Sequence, residues 1–201
     1  VGLTDNPESV LREGINEVIA STYLNAAPMG IIRKGELLSV IIFKTSHTAG
    51  NVIRDGWIVA HITRDPILFV KTAFGDLPAD QFVKDLIDGY QVYRIKNIDN
   101  WILLRAEVEN ITSEKVFFRL EIIRTNVTNT LPIPFHRGLS NLIEATIHGT
   151  RYILTKDPGL ASLIRHHGEL VLRCGGPREK EALYLLYSYL NYGSSEGDFT
   201  F

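Results

Sequence analysis

Residues 43–55 read FKTSHTAGNVIRD, the end of an apolar strand passing into a short helix through a run of hydroxyls and one lysine. A helix start presents backbone N–H groups without intrahelical partners and the positive end of the helix dipole. Thr45, Ser46 and Thr48 add hydroxyl donors there, and Lys44 adds charge. Together these are the means by which proteins hold an anion, above all a phosphate. The same residue types also cap ordinary helices, so two readings stand at this point: an anion pocket or a capped strand-to-helix connection.

The sequence around this tract is rich in strands. Segments 15–22, 26–33, 37–43, 57–63, 67–74, 102–110 and 116–124 are dense in Val, Ile, Phe and Thr and read as strands. In the sixth, Leu104, Ala106 and Val108 alternate with Arg105, Glu107 and Glu109, giving one buried and one wetter face. Residues 110–115, with Thr112 and Ser113 at the centre, read as a hairpin connection. Many short strands with few helices between them favour an antiparallel barrel over a doubly wound sheet, and no Gly-rich dinucleotide fingerprint follows any of them.

Near Leu131 the periodicity becomes helical. Leu139, Leu142, Ile143, Ile147 and Ile153 are spaced for one face of a long helix, and Pro158 stands where a second should start. Leu160, Leu163 and Ile164 carry that helix until Gly168 stops it, and residues 178–192 form a third. From Gly193 a Gly/Ser/acid tail follows. The expected organisation is a barrel domain over 1–130 and a helical extension packed on it over 131–201.

Composition narrows the function classes. Of 201 residues, 45% are hydrophobic and 22% charged, enough for a substantial core. A net charge of −2 leaves no basic footprint for a nucleic-acid backbone. No run approaches the roughly 18 apolar residues of a membrane span, so neither nucleic acid nor membrane is expected as a partner. The single cysteine, Cys174, forms no internal disulfide and has no zinc-site partner, and a cytoplasmic location is expected.

A second unusual segment precedes the first. Residues 25–30, NAAPMG, put small residues and a proline in succession within a strand. Proline lacks an N–H and belongs on an edge or bulge, while alanine and glycine let a flat ligand approach the backbone. An edge strand with a bulge accounts for the segment equally well. Taken with the anion pocket one strand later, it suggests a ligand with an aromatic plate at one end and a phosphate at the other. Flavin mononucleotide (FMN) is such a molecule.

NAAPMG, then KTSHTAGNVIRD, then WIVAHIT resembles the FMN-binding split-barrel flavoproteins, which include small FMN-binding proteins, flavin reductases and pyridoxamine-phosphate oxidases. Lys44, Thr45, Asn51, Val52, Arg54 and Asp55 are similar to the K-T-x-x-N-V-x-R-D pattern of the small FMN-binding proteins, with an insertion between Thr45 and Asn51. An uncharacterised split-barrel family of about this length is more similar still. It shares the NAAPMG strand and a later helix of the form R-G-x-x-x-x-x-E-A-x-I-x-x-T-R, which here is Arg137, Gly138, Glu144, Ala145, Ile147, Thr150 and Arg151.

The resemblance implies a split β-barrel, antiparallel and Greek-key, with a C-terminal helical extension, forming a homodimer with FMN at the subunit interface. It implies that Lys44, Thr45, Ser46, Thr48 and Asn51 hold the phosphate and ribityl chain, and that Pro28, Met29 and Gly30 line the flavin ring. His136 and Arg137 open a helix, and Arg137 can reach an anion or pair with an acid such as Glu144. The adjacent His166 and His167 cannot both face one metal from a helix. No metal-spaced motif and no catalytic dyad stands out. The expected function is a flavin-dependent oxidoreductase or flavin reductase drawing electrons from NADH or NADPH. The alternative is a non-catalytic flavin carrier, store or sensor with a protein partner.

Overall fold

The computed structural model describes residues 10–11, 14–127 and 137–190; His136 and the tail from Gly193 lie outside them. The chain divides into two compact units, one of residues 1–63 and 76–130 and the other of residues 64–75 and 131–201.

The first unit holds β1 (Gly14–Thr22), β2 (Asn25–Lys34), β3 (Leu37–Phe43), α1 (His47–Asp55), β4 (Trp57–His61), β5 (Phe82–Ile87), β6 (Tyr90–Ile95), β7 (Trp101–Ile111) and β8 (Lys115–Asn126). Six of these strands close an antiparallel barrel in the order β1-β2-β3-β8-β7-β4. Three consecutive strands lie side by side and the fourth returns beside the first, which is the Greek-key path. Strand alternation sends Val18, Ile31, Val40, Ile58, Leu104 and Phe118 inward to one core, and α1 adds Ala49 and Val52 to it. The β7–β8 turn is built on Thr112 and Lys115, as the sequence predicts, with the Thr112 amide donating to the Lys115 carbonyl at 2.8 Å.

The barrel is incompletely zipped at one seam. β2 pairs with β1 along its whole length, from Gly14↔Arg33 to Thr22↔Asn25. Against β3 it pairs only from Ile32↔Ser39 to Lys34↔Leu37. Continued, that register would set Gly30 opposite Ile41 and Pro28 opposite Phe43; instead the two strands part. The lips of the split are therefore the NAAPMG segment and the strand end that leads into Lys44 and Thr45. Proline at such a lip costs no ladder hydrogen bond.

β5 and β6 form a separate hairpin that the sequence reading misses. Its signal was present in Asp88–Gly89, whose φ values of 47° and 85° fit a two-residue hairpin turn. The hairpin covers the outer side of β4 and β7, so that Val92 buries with Trp57, Val59, Trp101 and Leu103 in a second core. His61 pins it in place. This ring is fully buried, with Nε2 at 2.9 Å from the Ser21 hydroxyl and 3.3 Å from the Ile95 amide. The Ser21 hydroxyl in turn donates to the Tyr93 carbonyl at 2.6 Å. Burial, assisted by the Arg94 charge, lowers the imidazole pKa to about 3, so the ring is neutral near pH 7.

The second unit holds α2 (Pro66–Phe74), α3 (Arg137–Thr155), α4 (Pro158–Cys174) and α5 (Pro177–Tyr189). Residues 67–74, expected as a strand, are helix α2. Asp65 caps it, accepting from the Ile67 and Leu68 amides, and Pro66 occupies the first turn. An apolar run this short fits either period, and the Asp-Pro start signal decides it. Pro158 does open α4 behind an Asp157 cap.

Gly168 does not end α4, contrary to expectation. A Cβ there would sit 2.0 Å from the Tyr187 hydroxyl, so the glycine makes room for a ring of α5. The buried face of α3 is also rotated from the expected one. It consists of Gly138, Leu142, Ala145, Thr146 and Gly149, while Ile153 is exposed. Small residues mark the contact because backbones approach closely: a Cβ on Gly138 would lie 2.5 Å from the Gly175 Cα. Among the described residues no helix is long and apolar enough to cross a membrane.

Candidate functional site

The split in the barrel and the loop after β3 bring most of the expected residues into one neighbourhood. Lys44 and Thr45 are exposed where β3 leaves the sheet. The Lys44 amide donates to the Glu114 carbonyl at 2.8 Å, which fastens the loop to the β7–β8 turn and fixes where the two side chains emerge. Ser46 is the N-cap of α1; its hydroxyl accepts from the Ala49 amide at 3.1 Å and donates to the Phe43 carbonyl at 2.8 Å. Ser46 thus caps the helix, and Lys44 and Thr45 face solvent beside its positive end.

Thr48 and Asn51 face a different direction. Thr48 is buried and its hydroxyl accepts from the Asn25 amide at 3.4 Å. Asn51 donates to the Thr22 hydroxyl at 3.0 Å and to the Tyr23 carbonyl at 3.1 Å. These bonds seat α1 on the β1–β2 hairpin, so the two residues hold the helix in position. Asn25, at 8% exposure, is nearly enclosed, and its Oδ1 has no hydrogen-bond partner among the described residues. A buried acceptor left unsatisfied costs about 1–3 kcal/mol, and here it lies at the start of the NAAPMG lip.

On that lip the side chains alternate. Met29 packs partly against the barrel core, so its neighbours Pro28 and Gly30 turn to the outer face. The absent side chain of Gly30 has a local cause, since a Cβ would lie 2.5 Å from the Ile15 Cγ2. The outer face next to the split is apolar and uncovered: Ile15, Leu37, Ile41 and Phe43 are all exposed there. Arg137 is the first residue of α3, exposed, in the helical unit; its carbonyl accepts from the Asn141 amide at 2.8 Å.

Of the two adjacent histidines, His166 is exposed. His167 turns its Nδ1 to the Asn141 Oδ1 at 2.9 Å and stacks on His148 with centroids 5.5 Å apart. Burial first, and then the neighbouring His148, lower the His167 pKa. The sequence reading also missed a depression at the far end of α1, because its walls come from three separated turns.

Comparison with known proteins follows the same outline. The family model described as Protein of unknown function (DUF447) N-terminal domain matches residues 16–129, and that of Protein of unknown function (DUF447) matches residues 136–188. Among solved structures, the FMN-bound protein of Methanosarcina mazei is 37% identical with a TM-score of 0.81, covering 89% of this chain and 96% of that one. Flavoredoxin from Methanosarcina acetivorans is 15% identical over 66% of this chain and 77% of that one, TM-score 0.44. The 2-nitrobenzoate 2-nitroreductase of Pseudomonas fluorescens is 16% identical over 63% and 73%, TM-score 0.45. At these values the last two carry no functional information.

Proposed function

The chain belongs to the DUF447 family, and from that premise we propose that it binds FMN in the split between β2 and β3 and acts as a flavin-dependent oxidoreductase. The observation that carries the reading is the coincidence of an FMN-bound relative, 37% identical over 89% of the chain, with a split whose lips supply the two ends such a ligand needs. The residues present fit the group. Lys44 and Thr45, with the first turn of α1, form a cradle for the phosphate. Pro28 and Gly30 offer a flat outer lip for the ring, and the unpaired Asn25 Oδ1 can accept from a ligand N–H or O–H.

When bound, FMN would supply the redox chemistry, and the protein supplies position and electrostatics. Lys44 and Thr45 anchor the anion. Ser46, Thr48 and Asn51 act behind them by fixing the helix whose amides meet it. Three charge-assisted hydrogen bonds at about 1.5–3 kcal/mol each are offset by an association cost of about 4–15 kcal/mol, so burial of the ring has to supply the surplus. One barrel leaves the outer lip open. The exposed Ile15, Leu37, Ile41 and Phe43 around it support closure by a second copy of the chain, a homodimer with the cofactor at its interface.

Anaerobic addition of NADH or NADPH to the FMN-loaded protein tests the enzymatic part of the reading. Bleaching of the flavin band, with turnover once an acceptor is added, is the expected result. A bound flavin inert to both nucleotides overturns the oxidoreductase assignment and leaves a flavin carrier, store or sensor.

A further inference from the structure

At the C-terminal end of α1 three turns converge on a depression of about 610 Å³ lined by Tyr23, Arg54, Asp55, Trp57, Tyr90 and Gln91, among others. Its volume is in the range of small-molecule sites. It lies at the opposite end of α1 from Lys44 and Thr45, and the nine residues of that helix span roughly 13 Å. We propose that this depression binds a purine base.

The walls are aromatic and held in fixed orientations. Tyr23, on the β1–β2 turn, meets Tyr93 edge to face with centroids 4.9 Å apart. The Arg54 guanidinium lies 5.2 Å from the Tyr23 ring centroid. Asp55 keeps it there through a two-pronged bond, Nε to Oδ1 at 2.7 Å and Nη2 to Oδ2 at 2.6 Å. Beneath them Trp57 is 4% exposed and contributes a nearly immobile floor. Leu24 beside Tyr23 adopts φ 46°, a left-handed conformation that a bulky side chain rarely takes. The Asn51 bond to the Tyr23 carbonyl holds this strained turn.

These features select the ligand class. Arg54 and Asp55 cancel each other's charge at the rim, which removes the pull on a phosphate and leaves a wall suited to an uncharged plate. Rings and a guanidinium plane stack on the face of a heterocycle. Gln91, exposed on β6, offers one donor and one acceptor side by side, the pairing that matches the edge of adenine. At the mouth, Gly89 has φ 85°, and among the described residues nothing beyond its own chain neighbours lies within 4 Å of where a Cβ would stand, so the entrance is open.

Free nucleosides and the adenine end of a pyridine dinucleotide share this chemistry, and the test separates them. The full chain, with and without FMN, is titrated with adenosine, NADH and reduced nicotinamide mononucleotide, following the amide signals of Gly89 and Gln91. Saturable shifts with adenosine are expected, with none from the mononucleotide. Matching shifts with NADH identify a dinucleotide as the source, and their absence identifies a nucleoside. Gln91→Leu and Tyr23→Leu should each weaken adenosine binding at least tenfold, with an unchanged melting midpoint and FMN absorbance. Gln91→Leu, on an exposed position, keeps the test valid if the turn variant misfolds. No saturation at millimolar adenosine, or variants that bind as the wild type does, overturns the proposal whether or not FMN binds.

Discussion

The barrel unit has two apolar outer faces, and among the described residues only one of them is covered. Over β4 and β7 the β5–β6 hairpin covers Trp57, Val59, Trp101 and Leu103, all buried. Over β1 and β3, Ile15, Leu37 and Phe43 remain 69%, 67% and 59% exposed. Both faces arise from the same alternation of residues along a strand. What differs is the β5–β6 hairpin, which packs on one of them. Large exposed apolar patches mark interaction sites, and this one flanks the split that we propose for the cofactor.

Three outcomes break or sharpen this contrast. On the covered face, Trp101→Ala should cost about 3–5 kcal/mol in urea unfolding, as for other buried aromatics. A loss below about 1 kcal/mol would mean that the hairpin is a loose flap, because even surface changes reach about half that value.

The pin beneath the same hairpin makes stability depend on pH. Folded His61 has its pKa lowered to about 3 from 6.5. Between those values the unfolded chain binds the extra proton, so the His61 contribution is complete above pH 6.5 and is lost as pH falls. From pH 7 to pH 5 the stability should drop by about 2 kcal/mol. His61→Gln should flatten that slope, and an unchanged slope in the variant would assign the effect to other groups.

On the uncovered face, Leu37→Lys with Ile41→Lys should alter monomer stability by no more than about 0.5 kcal/mol, while sedimentation shows the mass falling from a dimer to a monomer. A wild type that sediments as a monomer with FMN bound would remove the second subunit from the proposed site.

How much of this was legible depended on how local each signal is. The Thr112–Ser113 turn, the Pro158 helix start and the hydroxyl-and-lysine loop are read from neighbouring residues, and the structure has each of them. Helix α2 has an apolar run that fits a strand, and only the Asp65 cap and Pro66 in front of it mark it as a helix. The Asp88–Gly89 hairpin turn is announced by its two residues alone, a weaker signal than the strands around it. Gly168 was not readable as an interior residue, since its reason is the Tyr187 hydroxyl on another helix. Thr48 and Asn51, expected as ligand contacts, lie within α1 and turn to the β1–β2 hairpin. Their bonds to Asn25, Thr22 and Tyr23 cross more than twenty positions of chain and left no pattern to read.

FMN binding at the split is most directly tested by equilibrium dialysis of the wild type against the Lys44→Ala/Thr45→Ala variant. Near-stoichiometric flavin in the wild type is expected, with affinity at least tenfold weaker in a variant that keeps its melting midpoint. A colourless wild type in excess FMN, or equal affinity in the two proteins, would contradict it.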